Sequence, residues 1–227
     1  SLKNFINYDY FDNEKDQFFY LHSSIFTDIS DDYNDKYEYI LPDLNFNKNL
    51  YSNNFGYGSF NTNLKMSNYD TNKFEKFFTN DLDWTVDKNF GNLPYNGKFI
   101  TKLKNVNYEA KNVDKLKREL THEFFGAIGY LASIDLIKQS TNDSSNLLSP
   151  KLLLKYSPNH MKKITGDHSL HNKNIFSLDR LGSSSSLEGG TSLTYGIDYK
   201  KSFKSDQEFN FSIGQIINEK KNDKRKP

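Results

Sequence analysis

The chain has 227 residues, a net charge of +1 and no Cys; only 35% of its residues are hydrophobic, although 15% are aromatic. The near-neutral charge gives no basic patch for nucleic acid, and the lack of Cys excludes disulfides and thiolate metal sites within these residues. The aromatic content is too high for a merely disordered chain, and no run of about 18 apolar residues predicts a membrane-spanning helix.

Apolar and polar residues alternate with a period of two along the whole chain, which predicts β-strands. The only helical pattern, at 113–120, is short enough to be a turn within a loop. The predicted strands are, in chain order, 1–8, 18–29, 38–48, 59–66, 78–90, 98–110, 125–138, 148–157, 192–199 and 209–217.

The alternation is clearest at 78–90, where Phe78, Leu82, Trp84, Val86 and Phe90 share one face. The opposite face carries three carboxylates, Asp81, Asp83 and Asp87. Paired catalytic carboxylates normally come from separate elements, so this row does not predict acid–base catalysis. We expect these carboxylates to line a wet interior and to pair with lysines of neighbouring strands such as Lys65.

Strand length and loop length favour a membrane protein. Many of the alternating runs have about 10 to 14 residues, whereas strands of globular proteins cluster near ~5–6 and transmembrane strands need about 9–11. Successive connections fall alternately into a set with two long loops, 111–124 and 158–191, and a set of short turns. Outer-membrane barrels have long external loops and short periplasmic turns, so we expect both long loops to be extracellular.

These observations predict an all-β fold: an antiparallel meander of about ten long strands over residues 1–227, forming part of a large transmembrane outer-membrane β-barrel. In such a barrel the apolar face meets lipid and the polar face lines the interior. The alternative is a soluble β-sandwich with one solvated face.

No constellation in the sequence predicts catalysis, a cofactor or a metal. His168 and His171 lie near Asp167 in a Ser- and Asn-rich loop without helical spacing, which favours a solvated loop over a metal site. The run "GSSSS" at 182–186 lacks a nucleophile elbow, and the glycines form no phosphate-binding loop. We therefore expect a protein that is not an enzyme.

Three segments carry a resemblance to a known family: "LLSPKLLLKYSPN" (147–159), "NIFSLDRLGSSSSLEGGTSLTYGIDY" (174–199) and "FNFSIGQII" (209–217). They resemble the barrel of the lipopolysaccharide-assembly protein LptD family, also called organic solvent tolerance proteins. The matching positions are Pro150, Asn174, Phe176, Asp179, Arg180, Gly182, Glu188, Gly189, Gly190, Gly214 and Gln215.

The resemblance implies a function and a set of partners. Members form an outer-membrane barrel of about 26 strands that assembles lipopolysaccharide (LPS) into the outer leaflet of a Gram-negative bacterium. An LptE-type lipoprotein plugs the barrel, and a periplasmic domain receives LPS from a bridge protein. This chain would then be a middle block of barrel wall in contact with outer-membrane lipid. The rivals are another outer-membrane barrel, a porin or a TonB-dependent receptor, and a soluble β-sandwich adhesin.

The motif residues at 174–190 have a structural interpretation. Gly189 and Gly190 allow a positive φ where the loop enters the next strand. A charge-assisted hydrogen bond between Asp179 and Arg180 would fold the loop inward. The alternative role for Arg180 is contact with LPS phosphates or with the lipoprotein plug.

Overall fold

A computed structural model describes residues 2–27, 38–69, 73–92, 94–114, 116–139, 145–158, 170–171, 174–182, 186–203 and 207–219. These residues form eleven β-strands and no helix long and apolar enough to cross a bilayer. The strands are β1 (Leu2–Asp12), β2 (Gln17–Thr27), β3 (Glu38–Ser52), β4 (Gly56–Tyr69), β5 (Lys73–Asp87), β6 (Asn96–Lys111), β7 (Thr121–Ser133), β8 (Leu136–Gln139), β9 (Ser145–Tyr156), β10 (Ser192–Ser202) and β11 (Glu208–Asn218).

The strands form one antiparallel meander sheet in the order β1-β2-β3-β4-β5-β6-β7-β9-β10-β11. The ten strands of this path have 11 to 16 residues each, as the long alternating runs predict. The all-β antiparallel meander is therefore confirmed. Among the described residues, no strand pairing joins β1 to β11.

The predicted strand at 125–138 is wrong in one respect, because it is interrupted. β7 ends at Ser133, and β8 forms a separate short arm that pairs only with the start of β9. At the break, the Asp135 carboxylate accepts a hydrogen bond from Ser149 Oγ (2.6 Å), and the Ile134 amide donates to the Pro150 carbonyl (3.1 Å). Asp135 thus lies outside the regular strand pairing and hydrogen-bonds to Ser149 of β9.

The chain divides into two compact units, and the first comprises Ser1–Asn53, Tyr57–Asp83 and Leu103–Phe124. In this unit the register pairs Leu21 with Leu44 on one face of β2 and β3, and His22 with Asp43 on the other. Side-chain hydrogen bonds continue the polar face into β4: Asn45 Nδ2 donates to Asn61 Oδ1 (3.2 Å). The first unit therefore separates an apolar face from an amide-rich one, as the alternation predicts.

The second unit comprises Asn54–Gly56, Trp84–Lys102 and Phe125–Pro227. On β9 the side chains of Leu152 and Leu154 are 46% and 54% exposed, whereas the intervening Leu153 and the neighbouring Lys155 are fully buried. The same inversion holds at the start of β10, where Tyr195 and Ile197 are exposed and Ser192 and Thr194 are buried. On β11 the apolar residues Phe209, Phe211, Ile213 and Ile217 are exposed, and so are the polar residues Asn210 and Ser212 between them. On β9 and the start of β10 the polar face is therefore covered and the apolar face is open.

Candidate functional site: the segment 174–190 on the polar face of β9 and β10

The described parts of the segment 174–190, residues 174–182 and 186–190, lie against the polar face of β9, β10 and β11. The segment begins with a tight turn around Asn174. The Asn174 side chain accepts a hydrogen bond from the His171 amide (3.0 Å) and donates one to the Arg180 carbonyl (3.3 Å). One asparagine side chain therefore ties together two points of the segment that are several residues apart.

A hydrophobic anchor follows the turn. Gly196 of β10 and Gly214 of β11 are register partners, so two glycines lie side by side on the polar face. A Cβ atom at Gly196 would lie 3.0 Å from Phe176 Cζ, and one at Gly214 would lie 3.0 Å from Ile175 Cδ1. The absence of two side chains thus makes room for Ile175 and Phe176.

A buried charge cluster holds the second half of the segment. Arg180 Nε donates to Glu188 Oε2 (2.6 Å), and its Nη2 and Nη1 atoms donate to Ser192 Oγ (3.0 Å) and Thr194 Oγ1 (3.4 Å). Lys155 Nζ reaches the same Glu188 oxygen at 3.4 Å. Arg180, Glu188 and Lys155 are at most 2% exposed, so water does not screen these charges.

The charge cluster links the segment to β9 and β10 by ion pairs and hydrogen bonds. Glu188 is the carboxylate between two cations, and desolvation of all three groups is offset only while this geometry is complete. Leu178, Leu181 and Leu187 are also buried and surround the charges with apolar packing. The cluster therefore fixes the loop to the sheet.

The expected hydrogen bond between Asp179 and Arg180 is wrong in its choice of acceptor. The guanidinium of Arg180 pairs with Glu188, because Arg180 projects onto the polar face of β10. Asp179 turns toward the backbone instead, where its Oδ1 accepts from the Leu181 amide (3.3 Å). The inward fold of the loop is thus present, with a different carboxylate holding it.

Of the adjacent glycines Gly189 and Gly190, only Gly190 has a positive φ. Gly190 has a φ of +101°, whereas Gly189 has no positive φ, which corrects the expectation for that residue. Gly190 exchanges two backbone hydrogen bonds with Ser157, at 2.9 and 3.2 Å. This pairing closes the base of the loop just beyond the ends of β9 and β10.

Two residues of β11 that break its alternation each have a partner. Gln215 lies on the apolar face and accepts a hydrogen bond from the Tyr195 hydroxyl. Ile216 lies on the polar face, where it lines an open cleft of about 530 Å³ together with Leu170, Ile175 and Phe176. The irregular pattern therefore reflects specific contacts across the strand and with the loop.

Two carboxylates of the predicted interior row, Asp81 and Asp87, each have a lysine partner on β6. Asp81 lies 4.0 Å from Lys104, and Asp87 lies 3.7 Å from Lys98. Lys65 pairs with Asp43 at 3.9 Å rather than with the Asp81 row. Asp83 is half-buried on the same strand as Asp81.

The described part of the chain contains no group of three or more His, Asp and Glu residues that could hold a metal. His168 and Asp167 lie outside the described residues, and the backbone amide of His171 is engaged by Asn174.

Sequence reasoning missed Lys155, and it did not connect Ser192, Thr194 and Gly196 with the loop. The alternation does put these three residues of β10 on one face, but it gives no sign of what covers that face. The sequence did contain one signal for Lys155. It is a charged residue in the run "LLLKY", and it shares a strand face with Leu153 and Ser157 rather than with the apolar residues Leu152 and Leu154.

Comparison of the chain with models of known protein families finds no match, and comparison with curated proteins finds none either.

Proposed function

We propose that this chain forms part of the wall of an outer-membrane β-barrel, and that the barrel is an LPS translocon of the LptD kind. The observation that carries the first half of the proposal is the inverted polarity of the second unit. There, leucine, isoleucine and phenylalanine side chains are exposed while lysine, arginine and glutamate are buried.

A soluble protein would be expected to bury such a surface. Contiguous apolar patches larger than a few hundred Å² are rare on soluble monomers, and each exposed Leu or Phe forgoes about 1.5–3 kcal/mol of burial in water. In a bilayer the preference reverses: hydrocarbon solvates the apolar face, and the polar face must be shielded from it. This balance favours a membrane wall over a β-sandwich.

The LPS-specific half of the proposal depends on the resemblance at 174–190. Asn174, Phe176, Arg180, Glu188 and Gly190 all have defined contacts or conformations in one compact arrangement. A porin or a TonB-dependent receptor would share the polarity of the strands but has no need of this set of residues. We therefore favour a non-enzymatic translocon segment in the outer membrane. Its partners would be LPS, an LptE-type lipoprotein plug, a periplasmic bridge protein and membrane lipid.

Depletion of the intact gene product tests the function. We expect newly made LPS to disappear from the cell surface and to accumulate in the periplasm or the inner membrane. Unchanged surface LPS would contradict the export function and leave only a barrel of another kind.

Complementation of the depleted cells refines the test. Glu188→Gln should restore surface LPS less well than the wild type, because it releases the fastening of the loop. Lys15→Gln, which removes an exposed cation paired with Asp12, is the matched control and should restore it fully. Equal complementation by both variants would exclude a role for the loop.

A further inference from the structure

Six aromatic residues of the second unit gather near the turn between β5 and β6; we call them the aromatic band. The rings of Phe55, Phe90 and Phe99 are 71%, 53% and 43% exposed. The remaining members are Trp84, Tyr95 and Tyr130, which are half-buried.

The rings of the aromatic band contact one another but do not form a core. The ring centroids of Phe90, Phe99 and Tyr130 lie 4.9 to 5.8 Å apart, within the range of favourable aromatic pairs. Both phenylalanines nevertheless keep about half of their surface exposed. The cluster thus presents an apolar surface outward.

The polar atoms of the aromatic band are held by backbone at the strand ends. Trp84 Nε1 donates to the Phe55 carbonyl (2.7 Å), and the Tyr130 hydroxyl donates to the Lys88 carbonyl (2.8 Å). The Tyr95 hydroxyl lies 3.1 Å from that of Tyr130 and accepts from the Phe90 amide (2.6 Å). Each of these three side chains therefore has one satisfied polar end and one apolar body.

The β5–β6 turn is shaped to hold Tyr130. A Cβ atom at Gly97 would lie 2.9 Å from Tyr130 Cζ, so only glycine lets the ring cross the start of β6. The Gly97 backbone is itself fixed, since its amide donates to Asn89 Oδ1 (2.7 Å). The position of the ring is thus set by the turn.

Charged groups lie at the same turn. Lys98 Nζ is 3.7 Å from Asp87 Oδ1. Lys88, whose backbone carbonyl accepts the hydrogen bond from Tyr130, is exposed. Lysines of this kind extend their ammonium groups toward water or phosphate while their stems cover apolar surface. Their ammonium groups suit the phosphate groups of a lipid headgroup layer.

We propose that the aromatic band binds the headgroup and glycerol layer of the bilayer and marks one boundary of its hydrocarbon at the β5–β6 turn. Aromatic side chains with one apolar and one polar end concentrate at this layer. The inference deepens the proposed function and depends on its membrane half. It adds which side chains meet the lipid interface and at which end of β5, β6 and β7.

Trp84 is the only tryptophan of the chain and reports its own depth. The protein is reconstituted into phosphatidylcholine vesicles whose acyl chains carry bromine either near the headgroup or near the terminal methyl, and tryptophan fluorescence is recorded. We expect at least twofold stronger quenching by the shallow bromines. The matched reporter is Trp84→Phe combined with Phe78→Trp, which moves the tryptophan six residues along the apolar face of β5, away from the β5–β6 turn.

The outcomes separate the two proposals. Deep quenching of Phe78→Trp together with shallow quenching of Trp84 supports the band as a lipid-interface site. Stronger quenching of Trp84 by the deep bromines overturns that assignment while leaving the membrane wall intact. Absence of quenching for both tryptophans overturns the membrane wall itself and the band with it.

Discussion

Lysine–carboxylate pairs occur in both units, but in very different surroundings. In the first unit, the side chains of Lys65 and Asp43 are 44% and 24% exposed and lie 3.9 Å apart. In the second unit, Lys155 and Glu188 are 1% and 2% exposed, and Arg180 joins the same carboxylate at 2.6 Å. The difference is that the segment 174–190 covers the pair in the second unit.

This comparison teaches that burial of an ion pair, rather than the type of residue, decides how much its loss changes the free energy of unfolding. A partly exposed pair gains little because water competes for both charges. A buried pair costs desolvation when it forms, and it is strongly destabilising when one partner is removed. Loss of a charge should therefore have a large effect under the loop and a small one in the first unit.

The largest expected effect is that of Glu188→Gln. This change leaves Arg180 and Lys155 buried without their carboxylate and should lower the free energy of unfolding by about 3–5 kcal/mol. Denaturant unfolding of the protein in vesicles measures it. Glu208→Gln removes an exposed partner of Lys200 in the same unit and is the control, with a loss of at most about 1 kcal/mol. Equal losses of unfolding free energy for the two variants would contradict the role of burial.

Gly214→Val should lower the free energy of unfolding by about 1–3 kcal/mol, because the new side chain would overpack against Ile175. The double variant with Ile175→Ala tests the contact, since removal of the clashing side chain should reduce the cost of the valine. A cost of Gly214→Val that does not change in the Ile175→Ala background would show that the segment does not pack on β11.

Gly190→Ala should cost about 1–2 kcal/mol, because the φ of +101° disfavours any residue with a Cβ atom although the space around it is open. Gly189→Ala is the neighbouring control and should cost less, since Gly189 has no positive φ. The difference in unfolding midpoint between the two variants measures the effect, and a larger loss at Gly189 would contradict it.

The smallest expected effect is that of Asp43→Asn in the first unit. The amide keeps the shape of the side chain and loses only a partly exposed ion pair with Lys65, so the loss should be about 0–1 kcal/mol. Moderate salt should reduce even that difference, because added ions screen exposed charges. A loss as large as that of Glu188→Gln would remove the distinction between the two surroundings.

Alternation predicted the strands and their faces because side chains in a strand point to opposite sides in turn. It placed Ser192, Thr194, Gly196 and Asp198 together, and the loop residues lie on that face. It did not predict the end of β7 at Ser133. Ile134 and Asp135 continue the alternating run, and the hydrogen bond that stops the strand comes from Ser149 on β9.

The partner of Arg180 could not be predicted for a related reason. Asp179 is its neighbour in sequence, whereas Glu188 comes close only after the chain has turned back on the sheet. Likewise, nothing local shows that Lys155 points under the loop rather than toward solvent. Arg180 and Glu188 are both among the positions of the resemblance, and their pairing depends on contacts between distant parts of the chain.

The central claim of the proposed membrane wall is that Phe78 faces lipid and Lys65 faces the wet interior. Site-directed spin labelling tests this claim most directly. Because the chain has no Cys, Phe78→Cys and Lys65→Cys each carry a single nitroxide label after reconstitution into vesicles. Electron paramagnetic resonance then measures collisions with oxygen, which concentrates in hydrocarbon, and with a water-soluble nickel chelate. The label at position 78 should favour oxygen and the label at position 65 should favour nickel. Nickel access at position 78 equal to or greater than that at position 65 would contradict the claim.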